Sequence, residues 1–214
     1  MTNTTYRSRS FFTSFFLFLT LVFATRRAVA DEAPPPTANA EASAAPAHHG
    51  SAFVDPLGFL MFGPRVGVDA GGDHLTGGVY GRWFDPGLLG RSLFLKDGDS
   101  FAFSYGVGAR GRYYIGEGQG GLHVGAGAEY LRTRIENAAA LVATTSGYFV
   151  PYAEVGYRLA FDRFYGGATA ALGYAARLSG SVENLPGGSN AASYQANNES
   201  SVYGSLGLEL GVFF

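Results

Sequence analysis

Histidines and closely spaced glycines are the residues whose chemistry could indicate a catalytic or binding site. His48 and His49 are adjacent, but two histidines without a third ligand make a weak metal site. Residues 106–111, GVGARG, match the dinucleotide-binding fingerprint letter by letter. That fingerprint binds phosphate where a strand leads into a helix, whereas here it lies inside an alternating strand pattern. Since the chain also has no cysteine for a thiolate site, we expect no catalytic residue, no metal and no cofactor.

The charged side chains follow a clearer pattern, because they fall on one face of alternating segments. From Phe101 to Ile115, apolar residues alternate with polar or small ones, which predicts a strand with one apolar face. The same alternation recurs in residues 75–83, 122–130, 149–161, 164–178 and 202–214. The opposite face carries charges of both signs: Arg65, Asp69, Arg82, Arg110, Arg112, Glu129, Glu154, Arg158, Arg177 and Glu209. We expect a charge network inside a closed sheet, where inward glycines leave room for it: Gly106, Gly108, Gly125, Gly127 and Gly207.

Strand length and the spacing of the connections favour a membrane location. Several segments reach about 13 to 15 residues, whereas strands of soluble proteins cluster near 5 to 6 residues and a tilted membrane strand needs about 9 to 11. Short connections at 71–73, 116–119 and 162–163 alternate with long ones at 85–98, 132–146 and 179–200. Short periplasmic turns and long outer loops are typical of outer-membrane barrels.

Aromatic residues on the apolar face predict two interfacial girdles. Tyr113, Phe161, Phe164 and Phe214 lie beside short turns or the C-terminus. Trp83 and Tyr130 lie toward the long connections, as do three further aromatic residues: Phe101, Phe149 and Tyr174. Aromatic side chains gather at both membrane interfaces and leave the middle of the bilayer to aliphatic ones.

The first fifty residues predict export followed by a tether. Two arginines precede an apolar run at 11–24, and Ala28-Val29-Ala30 offers a small-x-small cleavage site. This arrangement predicts a signal peptide over residues 1–30, because the apolar run is too short for a spanning helix. Residues 31–51 are rich in alanine and proline and predict a disordered linker. Loss of four arginines with the signal leaves a formal charge of −6, which argues against a nucleic-acid partner.

The strand count requires one strand beyond the seven long segments, because bacterial single-chain barrels have an even number of strands. Residues 57–62 are a candidate for the missing strand, with a tight bend near Gly63-Pro64. Alternatively, the apolar face continues through Pro64 as one longer strand. The predicted fold is an all-β, eight-stranded, antiparallel up-and-down transmembrane β-barrel over residues 52–214.

Three segments of the sequence resemble strands of known proteins. The segments ARGRYYIGEGQGGLHVGAGAEY and YAEVGYRLAFDRFYGGATAALGY, and the terminal VYGSLGLELGVFF, resemble strands of the small outer-membrane β-barrel superfamily, OmpA/OmpX-like in size. The resemblance implies the outer membrane of a Gram-negative-type cell, lipid as neighbour and the outer-membrane assembly machinery as partner of the C-terminal strand. Its members include adhesins, narrow channels, structural anchors and lipid-modifying enzymes, so fold alone leaves the activity open.

The positions of the remaining histidines argue against an enzyme. The lipid-modifying members of that superfamily imply a histidine with a serine and a carboxylate near the outer leaflet, whereas His74 and His123 both lie beside predicted periplasmic turns. We expect a monomeric structural or surface-interaction barrel whose interior is filled by a charged plug. The alternative is a narrow outer-membrane pore or carrier for small solutes. A soluble lipocalin-like barrel would need the same alternation turned inside out.

Overall fold

The chain forms a closed antiparallel sheet. The structure is a computed structural model, and it describes residues 49–59, 63–84, 99–116, 118–194 and 200–214. Its strands are β1 Gly50–Asp55, β2 Arg65–Gly71, β3 Leu75–Phe84, β4 Asp99–Phe101, β5 Ser104–Ile115, β6 Gly121–Asn137, β7 Val142–Phe161, β8 Phe164–Asn184 and β9 Ser201–Phe213. Eight of them pair in the order β1-β2-β3-β5-β6-β7-β8-β9, and β9 pairs again with β1. This ring confirms the predicted all-β class and the eight antiparallel strands.

The eighth strand is not the one predicted. It is β1, Gly50–Asp55, which begins two residues before the predicted barrel boundary at residue 52. Pro56 ends it, since proline fixes φ and lacks the amide hydrogen that a ladder needs, and Pro56–Phe59 form a 3-10 turn. The strand prediction for 57–62 is therefore wrong over 57–59, and residues 60–62 lie outside the described part of the chain. Gly63, with φ at 84°, makes the bend that was expected there.

Short connections lie together at one end of the ring, which we call the turn end. They join β2 to β3, β5 to β6 and β7 to β8, and both Gly50 and Phe214 lie there as well, joined by backbone hydrogen bonds in both directions. Asp162 adopts a left-handed φ of 53° in the β7–β8 turn, and Gly118 does so at 64° in the β5–β6 turn. Asp and Gly are among the residues that accept this region at low cost.

At the opposite end, the loop end, the strands run further than predicted. β6 and β7 pair as far as Asn137 with Val142, and β8 continues to Asn184. The predicted loop at 132–146 therefore shrinks to the residues between Asn137 and Val142, and much of the loop at 179–200 is strand. Threonine, serine and asparagine on both faces of these extensions give no alternation of apolar and polar residues, which is why the pattern missed them. The predicted loop at 85–98 lies outside the described residues.

β4 is a short strand that pairs with the extended part of β6 rather than continuing into β5. Phe101 pairs with Ile135, and the Ala102 amide then donates to the Arg134 carbonyl. The Ser104 hydroxyl accepts a hydrogen bond from the Arg134 amide at 2.9 Å. These contacts interrupt the single strand that the alternation from Phe101 to Ile115 predicts.

The outward face of the ring is apolar, and we call it the apolar belt. Its aliphatic side chains are exposed: Val54, Val66, Val68, Leu75, Val79, Val107, Val124, Val155, Leu159, Leu172, Leu208, Leu210 and Val212. Among the described residues, no helical segment has the length and apolar character that would let it cross a bilayer.

Candidate functional site: the charged interior

In the described part of the chain, five arginines and five carboxylates fill the interior of the ring. None of them is more than 5% exposed: Arg65, Arg82, Arg110, Arg112, Arg158, Asp55, Asp69, Glu129, Glu154 and Glu209. Five arginines thus meet five carboxylates, so the buried set carries no formal net charge. Balance of this kind is what burial of charge requires, because an uncompensated ion in the interior is strongly unfavourable.

Glu209 is at the centre of the largest cluster. Its carboxylate accepts two hydrogen bonds from Arg112, both at 2.7 Å, and one from Arg110 Nη1 at 2.5 Å. Arg110 also binds Asp69 through two parallel contacts, Nε to Oδ1 at 3.0 Å and Nη2 to Oδ2 at 2.8 Å. Arg112 Nε donates to Glu154 Oε1 at 2.5 Å. Bidentate guanidinium–carboxylate contacts are the strongest ion pairs and hold both planes in a fixed orientation.

A second group lies toward the loop end. The Arg82 Nε atom lies 2.7 Å from Glu129 Oε1, with both side chains almost fully buried. The Tyr80 hydroxyl lies 3.2 Å from Glu129 Oε2 and 3.0 Å from the Tyr152 hydroxyl. Tyr80 lies on β3 and Tyr152 on β7, two strands that are not neighbours in the ring, so this hydrogen-bonded pair bridges the interior.

Asp55 pairs with Arg65 beside the point where β1 closes the ring. Arg65 donates from Nε at 2.9 Å and from Nη2 at 2.7 Å to the same carboxylate oxygen. The other oxygen of Asp55 accepts the backbone amide of Leu208 in β9 at 3.0 Å. One side chain therefore neutralises an arginine and also satisfies a strand amide.

Aromatic rings cover the faces of two guanidinium groups. Arg158 lies 4.0 Å from the ring centroid of Tyr165 and 5.0 Å from that of Tyr114. Arg110 lies 4.0 Å from the ring of Phe53. Cation–π contacts of this kind strengthen when water is excluded, so these rings help to hold the arginines where the carboxylates meet them.

Inward glycines provide the space for these side chains. A Cβ atom would come closer than 3.0 Å to an interior side chain at four of the five predicted positions, Gly106, Gly108, Gly127 and Gly207, and to the Gly111 carbonyl of the neighbouring strand at the fifth, Gly125. Gly108 faces the Tyr80 ring, Gly127 faces the Tyr152 ring, and Gly207 faces the Arg65 guanidinium. Eight strands leave an interior just wide enough for side chains, so each large residue requires a small one opposite.

Nine of the ten charged residues predicted to form the interior network are buried in it, and Arg177 is not. Arg177 has the inward alternation of β8, but it lies beyond the last residue of that strand that pairs with β9, and it is exposed. Its Nε donates to the Ser179 carbonyl at 3.4 Å. A register shift between Gly147 and Tyr148 leaves Leu178 as an extra residue in β8 next to Arg177, and the pairing with β7 then continues to Asn184. Alternation along a strand indicates which face of the sheet a residue lies on, but not its position along the axis of the ring.

Two interior groups were missed by sequence reasoning. Asp55 was overlooked because its strand was assigned to the wrong segment. The buried tyrosines Tyr80, Tyr152 and Tyr165 lie on the inward face, where they are less than 9% exposed. Their positions opposite inward glycines are a signal that was available in the sequence.

Eight of the nine aromatic residues predicted to form girdles point outward and are at least 36% exposed: Trp83, Tyr113, Tyr130, Phe149, Phe161, Phe164, Tyr174 and Phe214. The side chain of the ninth, Phe101, is outside the described part of the structure. The strand registers place four of them at the turn end, with Phe161 paired to Phe164 and Tyr113 paired to Leu75. Trp83 and Tyr130 lie toward the loop end, where Trp83 contacts Phe103 at 5.8 Å between ring centroids.

The two histidines predicted to lie beside short turns, His74 and His123, are both at the turn end of the ring. His74 is exposed in the β2–β3 turn, with Nδ1 3.3 Å from the Tyr114 carbonyl. His123 is buried inside the ring beside Tyr114. In the described part of the chain, no group of three or more His, Asp or Glu side chains is arranged to hold a metal ion. The GVGARG segment lies within β5.

The interior arrangement can fill and brace the ring, because four of its five buried arginines contact carboxylates from other strands at hydrogen-bond distance. Comparison with known proteins adds no candidate activity: no family model, no curated protein and no solved structure matches this chain.

Proposed function

We propose that the chain is a small outer-membrane β-barrel with a structural or surface-interaction role, its interior closed by a charge-balanced plug. One observation carries the proposal: polar and apolar side chains are arranged in the reverse of the order found in soluble proteins. Paired charges occupy the interior, whereas valine, leucine and aromatic residues are exposed around the ring. Lipid is the solvent in which an exposed apolar belt with a polar interior is favourable. A lipocalin-like soluble barrel would have the opposite distribution.

The spacing of the outward aromatic residues agrees with bilayer dimensions. Eight residues separate Tyr105 from Tyr113 in β5, and twelve separate Phe149 from Phe161 in β7. At about 3.4 Å per residue and a tilt of roughly 40°, these spans correspond to roughly 21 and 31 Å along the barrel axis. They bracket the apolar band of outer-membrane barrels, which is about 25 Å tall.

The proposal also assigns roles to the N-terminal residues, to the C-terminal strand and to the strand extensions at the loop end. Residues 1–30 act as a cleaved signal peptide and most of 31–51 as a linker, both outside the described residues apart from the start of β1. Phe214 and the rest of β9 engage the assembly machinery. The extensions of β6, β7 and β8 project past the aromatic residues at the loop end, so they are the surface available to an external partner.

The first test is single-channel conductance of the chain refolded into planar bilayers, together with Arg110→Ala. Arg134→Ala is the matched control, because Arg134 lies outside the charged interior, partly exposed and paired with Glu136 and Glu183. We expect the inserted wild-type protein to be silent, because paired side chains occupy the interior.

Two results would contradict the proposal in different ways. Discrete wild-type conductance steps that change in Arg110→Ala but not in Arg134→Ala would favour the narrow pore. Failure of all three proteins to insert would reject the membrane location itself.

A further inference from the structure

A group of buried polar atoms at the turn end has no hydrogen-bond partner among the residues that the structure describes. These atoms belong to four inward side chains, each no more than 5% exposed: the Tyr114 hydroxyl, both ring nitrogens of His123, Glu154 Oε2, and Nη1 and Nη2 of Arg158. Natural proteins rarely leave one such atom unsatisfied, because the atom loses its hydrogen bonds with water on burial and gains none in return. Six of them in one place therefore require an explanation.

The four side chains are neighbours in space. His123 lies beside Tyr114, with 5.2 Å between ring centroids, and Arg158 lies 5.0 Å from the Tyr114 ring. The His123 ring also covers Gly156, at which a Cβ atom would clash with it. Glu154 and Arg158 flank Gly156 on the same inward face of β7. The side chains that carry the unpartnered atoms therefore lie side by side on the inward face.

Charge decides which kind of ligand fits. Arg158 lies 3.6 Å from Asp69 and 3.8 Å from Glu209, too far for hydrogen bonds but close enough to be neutralised by them. An anion would disturb the balance of five arginines and five carboxylates and would face these two carboxylates. A cation would lie beside the Arg158 guanidinium. A neutral molecule that both donates and accepts hydrogen bonds, namely water, meets every atom without adding charge.

We propose that the turn end of the interior holds a buried water cluster bound by Tyr114, His123, Glu154 and Arg158. Buried waters make about three hydrogen bonds each, so the six unpartnered atoms need a cluster rather than one molecule. The loop-end half of the interior differs, since Leu131, Val150 and Tyr203 form a buried cluster there. The plug is thus hydrated on its turn side. The waters lie next to the Glu209 cluster, to which Glu154 is joined through Arg112. This inference depends on the ring alone and not on insertion into a membrane.

The test is water-to-protein cross-relaxation by NMR on the full chain refolded into detergent micelles, with histidine labelled. The chain has four histidines, so few signals need assignment. We expect the ring protons of His123 to show cross-peaks with long-lived water, and those of exposed His74 to show none of comparable intensity. Absence of such peaks at His123 would overturn the proposal.

Substitution gives an independent readout. His123→Phe keeps the ring and removes both nitrogens, so a hydrated site predicts a lower urea midpoint than wild type, because the waters lose partners. A dry site predicts the opposite, since an apolar ring would replace unsatisfied nitrogens. His74→Phe is the matched control and should leave the midpoint unchanged. If His123→Phe does not fold, Tyr114→Phe removes one hydroxyl and should weaken the His123 water cross-peaks.

Ions provide the remaining alternative. Chloride, phosphate or zinc is added separately to the wild-type protein, and the His123 signals are followed. Unchanged signals support water. A saturable shift with any of the three would replace the water cluster by an ion site.

Discussion

Glu209 shows how a single interior carboxylate holds several strands together. It lies on β9, and its partners Arg110 and Arg112 lie on β5, across the ring. Asp69 and Glu154 extend the same cluster to β2 and β7. The cluster therefore joins strands that are not neighbours in the sheet, which backbone pairing alone cannot do.

Glu209→Gln keeps the size of this side chain and removes its charge. The bidentate contact from Arg112 and the hydrogen bond from Arg110 then lose their anion, and the buried set gains a net positive charge. We expect a loss of about 3 to 5 kcal/mol in the free energy of unfolding, as for other buried pairs that lose one partner. Urea unfolding of the micelle-bound protein, followed by Trp83 fluorescence, measures it.

Glu183→Gln is the control for this prediction. Glu183 pairs with Arg134 at 2.5 Å, but its side chain is 54% exposed. Hydrogen bonds from Arg134 to Glu136 and Glu183 raise the pKa of the Arg134 guanidinium, so this guanidinium stays charged. Exposed pairs contribute about 0 to 1 kcal/mol. Equal effects of the two substitutions would show that the Glu209 cluster is not a buried network.

At the scale of the element, β6 needs a glycine at position 127, because an interior side chain packs directly against its backbone there. A Cβ atom at Gly127 would come closer than 3.0 Å to the Tyr152 ring and to the Ala109 carbonyl of the neighbouring strand. The Tyr152 hydroxyl is the one that meets Tyr80 across the ring. Even one methyl group at this position therefore displaces a side chain that bridges the interior.

Gly127→Ala should destabilise the ring by about 1 to 3 kcal/mol, the usual cost of overpacking. Gly111→Ala is the matched control, because Gly111 points outward and its nearest neighbour to a new Cβ is 3.8 Å away. Folding yield and the urea midpoint of the two variants should differ clearly. A Gly127→Ala protein as stable as Gly111→Ala would mean that Tyr152 can move without loss.

At the scale of the whole molecule, the apolar belt gives a direct test of membrane location. Trp83 is the single tryptophan of the chain and is 61% exposed on the outward face near the loop end. Tryptophan at such a position is expected at the membrane interface.

In vesicles containing brominated lipids, we expect Trp83 fluorescence to be quenched more by bromine near the headgroup than by bromine near the end of the acyl chain. Aqueous iodide should quench it weakly. A Trp83→Phe, Tyr148→Trp double variant places the indole on the inward face and should lose most lipid quenching. Strong iodide quenching of wild-type Trp83 without lipid quenching would count against the bilayer.

Local alternation was enough to predict the face of most residues. The arginines at 65, 82, 110, 112 and 158 lie inside the ring, and eight of the nine predicted girdle residues point outward. Successive side chains of any strand point to opposite sides, so this information is carried by each segment alone. The short turns were readable for the same reason, since Asp162 and the glycines near 118 have local backbone preferences.

The position of each residue along the axis of the ring, and the partner of each charged side chain, were decided only by the tertiary structure. Arg177 has the inward alternation but lies beyond the buried stretch, and Arg112 meets Glu209 from a position 97 residues away. β1 was missed because six residues carry little alternation of their own. Its place follows from the unpaired edges of β2 and β9, which a closed sheet must satisfy. Pairing between distant strands sets these features, and no single segment contains that information.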